Sequence, residues 1–133
     1  MAADEVPALT ASEFVDVVYE DVYLAAARNV RKALVSPPGR QPSARLTAMH
    51  EWFVSLSESD REMLGEVVAF AGDHAVFGLL CLLDNVQPVV DGYRETLELR
   101  VRSDQASRTL SREGEELHGM FRSRVDEGSG WDG

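Results

Sequence analysis

Cysteine is almost missing from this chain. Cys81 stands alone in 133 residues, so no internal disulfide can form. A lone thiol excludes a disulfide-stapled secreted scaffold and fits a reducing, cytoplasmic setting. Lysine is as scarce, with Lys32 the one non-arginine among 13 basic residues, and isoleucine does not occur. That bias points to a GC-rich bacterial genome and carries no functional message. Basic residues are absent from the first 27 positions, which hold six acids, and the net charge of the whole chain is −10. Such an excess disfavours nucleic acid and anionic membrane surfaces as partners. The opening MAADEVPALT has neither the basic segment nor the apolar run of a signal peptide. The uncharged stretch 75–83 is far short of a bilayer span and Asp73 interrupts it upstream, so a soluble protein is expected. Signatures of catalysis are missing too: there is no G-x-S-x-G elbow, no Walker loop and no dinucleotide fingerprint.

The residues that are present describe a fold. A hydrophobic content of 44% beside 27% charged residues is that of an ordinary globule. Thr10 and Glu13 have capping-box spacing, and Phe14, Val15, Val18, Val22, Ala25, Ala26, Val30 and Ala33 recur at helical intervals, predicting a helix to about Leu34. Three prolines and Gly39 make 36–42 a loop. A second helix over 43–55 presents Leu46, Met49, Trp52 and Phe53 before a tight corner at Leu56-Ser57. Ser57 then caps a long run that is apolar nearly all round to Leu83, which predicts a central helix with the chain wrapped about it. Gly65 and Gly72 on one side of it predict a closely crossing neighbour.

Beyond Asp84-Asn85 the period changes to two. Leu97, Leu99 and Val101 alternate with Glu98, Arg100 and Arg102, and 107–111 offers a return strand. A last helix over 113–124 turns Leu117, Met120 and Phe121 inward. The expected class is therefore α+β and predominantly helical. Three main helices surround the central one (about 57–84), with a small β-hairpin (about 95–111) and a short C-terminal helix. A single domain is expected over 10–125, between flexible segments 1–9 and 126–133.

Few side chains suggest chemistry. Glu115 and His118 have the spacing of two ligands on one helix, but a di-metal carboxylate bundle needs two such pairs. His50-Glu51 lacks the second histidine of a zinc-protease helix, so neither a metal nor a cofactor is expected. His74 shares a face with Met63, Val67, Phe70 and Cys81, which predicts a hydrogen-bonded core histidine; the alternative is an acid–base group lining a pocket. Cys81 lies two turns away, about 10 Å along the axis, too far for direct activation by that ring.

Pro37-Pro38-Gly39-Arg40, Trp52-Phe53-Val54-Ser55-Leu56-Ser57 and Phe77-Gly78-Leu79-Leu80-Cys81-Leu82-Leu83-Asp84 together resemble, in order and spacing, a family of small soluble bacterial proteins of unassigned function. The resemblance runs over about 14–121. It implies a shared fold and a bacterial origin, and it brings no catalytic residues. Asn85-Val86 stands where a Gly-Val pair is more typical, and Asn tolerates a left-handed cap.

The functional expectation is a non-enzymatic protein-binding module, immunity- or antitoxin-like, directed at a basic partner. Its binding surface is placed on the first helix, where Glu13, Asp16 and Glu20 supply steering charge beside Val17 and Leu24. The alternatives are a small enzyme or ligand sensor with a pocket near His74, and a self-associating protein without catalytic activity. A homodimer is expected because the small hairpin cannot cover so apolar a helix.

Overall fold

Thr10 opens the first helix as expected. Its hydroxyl accepts the Glu13 amide at 3.0 Å while the Glu13 carboxylate accepts the Thr10 amide at 3.3 Å, a complete capping box. The computed structural model describes residues 7–86, 96–111 and 115–129. The expected flexible ends lie outside them up to residue 6 and from residue 130. From the cap run α1 (Ala11–Val17), a π-helical segment (Val18–Leu24) and α2 (Ala25–Val35). The wide π turn adds a residue to the local period. Burial accordingly steps from Val18 to Tyr23, and Val22, expected on the inner face, is exposed together with Val30.

Ser43 caps α3 (Ala44–Ser55) by accepting the Leu46 amide at 3.1 Å. Ser57 does the same for α4 (Glu58–Leu83) through the Asp60 amide, also at 3.1 Å. The end of α4 closes in a Schellman arrangement. Asn85 adopts φ 58°, its amide reaches the Leu82 carbonyl at 3.1 Å, and the Val86 amide reaches that of Cys81 at 3.0 Å. The Asn85 side chain then pairs with both backbone groups of Leu97, at 2.8 and 3.0 Å, so one residue ends the helix and anchors the chain entering the hairpin. Strands β1 (Arg100–Arg102) and β2 (Ser107–Thr109) pair antiparallel with Val101 opposite Arg108. The hairpin is joined by a turn closed from the Ser103 amide to the Ala106 carbonyl at 2.8 Å. Helix α5 (Leu117–Ser129) starts later than 113 and continues past 126, into the stretch expected to be a flexible tail.

Among the described residues, 20–74 cluster as one compact unit and 7–19 with 75–129 as another. The latter has a dense interior. Val15, Leu80, Leu117 and Phe121 are fully buried, α1 packs on α5, and Arg124 joins them by reaching Asp16 at 2.5 Å and the Ser12 hydroxyl at 2.8 Å. Unit 20–74 is built differently. His50 ties α3 to the end of α2 through the Leu34 carbonyl at 2.6 Å. Arg61 braces the corner between α3 and α4 by donating to the Phe53 and Val54 carbonyls at 3.1 and 2.7 Å. Tyr23, Leu34 and Phe53 are its buried hydrophobic residues.

Candidate functional site

The fold is α+β and predominantly helical as expected, with α4 its longest helix. Of the most apolar eighteen-residue stretch of this helix, only 11% is buried. By length and composition α4 could cross a membrane, yet Glu58, Asp60, Glu62 and Glu66 occupy its first turns and Asp73 lies inside it. Within unit 20–74 its inner side is formed by Arg61, Leu64, Val68, Gly72 and Asp73, none of them exposed. Gly72 does admit a close neighbour, the Tyr23 ring at 3.8 Å from where a Cβ would sit, whereas nothing approaches Gly65. The opposite side carries Met63 (59% exposed), Val67 (54%) and Phe70 (63%).

His74 belongs to that outer side and is exposed, so it is not a core histidine. Its Nδ1 lies 3.1 Å from the Phe70 carbonyl one turn back, and its ring tilts against the Phe70 ring at 4.3 Å. The helical period groups these residues correctly on one face, but that face looks to solvent and not to the core. A helix that is apolar nearly all round offers no polar stripe to decide which side turns out. Across the described residues twelve large hydrophobic side chains are exposed, and all but Val17, Leu79 and Val86 belong to unit 20–74. The unit's interior is completed by half-buried Leu24, Leu46, Leu56, Leu64 and Val68.

The expected binding residues divide between the two units. In the first, Glu13 is committed to its capping box and Asp16 to Arg124, while Val17 points outward at 47% exposure. In the other, Glu20 is exposed and Leu24 half-buried. A further candidate in unit 20–74 is an apolar groove of about 220 Å³, lined by Leu34, Phe53, Leu64 and Val68 together with Arg28, Arg31 and Arg61. It is smaller than the roughly 300–1,000 Å³ of ordinary small-molecule sites.

One constellation has no counterpart in the sequence pattern. Asp84, at the end of α4, meets His118, at the start of α5, across 34 positions of sequence. Oδ2 of Asp84 accepts the His118 backbone amide at 2.8 Å and faces its Nδ1 at 2.6 Å. The other ring nitrogen faces Glu116 Oε2 at 3.1 Å. The spacing of Glu115 with His118 suggested a pair, but the carboxylate that reaches the ring is that of Glu116. The only signal for Asp84 is an acid beside the capping Asn85, too common a pattern to single out. Asp84, Glu116 and His118 offer ligand atoms within 4.8 Å of one another. Both imidazole nitrogens are nevertheless engaged by carboxylates, and Asp84 supplies the negative group that a helix start favours. The geometry is that of a clasp between the end of α4 and the start of α5.

The chain matches no family model, no curated protein and no solved structure.

Cys81 lies near this clasp, and its thiol is pushed up from its usual range, first by burial and then by the Asp84 and Glu116 carboxylates, against an opposing pull from Arg122. A thiol held protonated is a poor nucleophile. Cys81 should therefore be alkylated by iodoacetamide at pH 8 more slowly in the folded chain than in urea, and faster in Asp84→Asn than in wild type. Equal rates in all three would show that the carboxylates do not control it.

Proposed function

We propose that this protein is a non-enzymatic protein-binding module whose contact surface is the apolar outer face of unit 20–74. The observation that carries this reading is that Met63, Val67 and Phe70, on one side of α4, are 59%, 54% and 63% exposed. Apolar area left in water on this scale is stabilised by a partner that covers it. The groups of the clasp are accounted for without a catalytic step: His118 and Asp84 hold two helix ends together.

The net charge of −10 favours a basic surface on any heterologous partner, in the manner of an immunity or antitoxin protein. Val17 and Glu20 are exposed and can take part, whereas Asp16 would have to release Arg124 first. The test is a photo-cross-linker placed at Val67 in native lysate. Discrete protein adducts are expected, a second copy of this chain counted among them. Adducts confined to lipid, or none at all, would overturn the reading.

A further inference from the structure

We propose that the face is covered by a second copy of the chain, through antiparallel pairing of the two α4 helices across a two-fold axis. This names the partner for the contact surface proposed above and rests on that reading. Met63, Val67, Phe70 and His74 succeed one another at steps of four, three and four, the spacing of a coiled-coil seam. All four are exposed, along about 16 Å of helix. The same register continues to Phe77, and there the seam is already covered. His118 meets the Phe77 ring edge-on at 5.5 Å and Arg122 lies over it at 4.6 Å, both from α5. The stripe thus has a helical partner at Phe77, whereas Met63, Val67, Phe70 and His74 are exposed.

A seam of this kind matches itself, and charge selects the direction. In a parallel pair the register would carry on toward the N-terminus to set Asp60 against the Asp60 of the other copy, within a stretch that also holds Glu58, Glu62 and Glu66. Antiparallel pairing about a point between Val67 and Phe70 separates these acids. It sets Met63 against His74 of the other copy and brings that imidazole over the turn carrying Glu62 and Glu66. Opposite polarity then meets across the seam rather than like polarity. A membrane is the weaker occupant, because those acids and Asp73 would enter the apolar layer with the helix.

The experiment uses the purified full chain at tens of micromolar in sedimentation equilibrium. Wild type is expected at twice 14.7 kDa. Phe70→Lys, at a position with no inward role, is expected at the single mass with unchanged helical circular dichroism, and Val67→Lys serves if that variant misfolds. Direction is read in a Cys81→Ser background carrying either Met63→Cys or His74→Cys. Oxidising the two proteins together should give the mixed disulfide, with neither forming one alone. Wild type at 14.7 kDa, a Phe70→Lys protein of doubled mass, or a disulfide from Met63→Cys alone would each overturn the proposal. So would vesicle binding by a chain that stays monomeric. A monomer that still yields protein adducts at Val67 would end this inference and leave the binding-module reading standing.

Discussion

Replacing Asp84 with alanine should cost the fold about 3 kcal/mol. Its carboxylate is 2% exposed, and one oxygen serves both the backbone amide and the ring of His118. A hydrogen bond to a charged group contributes about 1.5–3 kcal/mol, and loss of a helix cap about 1 kcal/mol. The two share an acceptor, so their effects overlap and do not simply add. Removal would also leave the Nδ1 of a half-buried imidazole, its side chain 19% exposed, without that partner. Asp84→Asn keeps an oxygen for the His118 amide and gives up the charge; roughly half the loss is expected. Glu116→Gln, with its side chain 63% exposed, should stay within about 0.5 kcal/mol of wild type. Urea unfolding followed by circular dichroism measures all three. An Asp84→Ala protein as stable as the Glu116→Gln protein would mean that the clasp does not hold α5 in place.

Local signals are legible in the sequence and long-range ones are not. Thr10 with Glu13, Ser43, Ser57 and Asn85 each act on amides or carbonyls within four residues, so their caps can be read from spacing alone. The hairpin is legible for the same reason: Leu97, Leu99 and Val101 are half-buried while Glu98, Arg100 and Arg102 are exposed. The π segment is not, because a wide turn leaves the composition unchanged and only rotates the residues after it, exchanging Tyr23 for Val22. Nor is the clasp, since nothing in a single sequence brings Asp84 to His118. The candidate face falls between these cases. Its members can be named from the helical period, but their side cannot be assigned, because Leu64 and Val68 on the inner face are as apolar as Val67 and Phe70 on the outer one.

That ambiguity yields the second large expected effect, a comparison of one substitution at two positions. Phe121→Ala should destabilise by about 3–5 kcal/mol, because its ring is 0% exposed in the well-packed unit that also buries Leu117 and Leu80, and the cavity left behind cannot fill. Phe70→Ala removes the same atoms from a ring 63% exposed, where little contact is lost within one chain. In dilute solution its cost should stay below about 1 kcal/mol. At concentrations where copies pair, the Phe70→Ala loss should grow, because stability linked to association rises with protein concentration. The Phe121→Ala loss relative to wild type contains no such contribution of its own. Unfolding both variants in urea across a wide range of protein concentration separates a core residue from a contact residue. A Phe70→Ala cost of several kcal/mol that persists at the lowest concentration would place Phe70 inside the chain's own core.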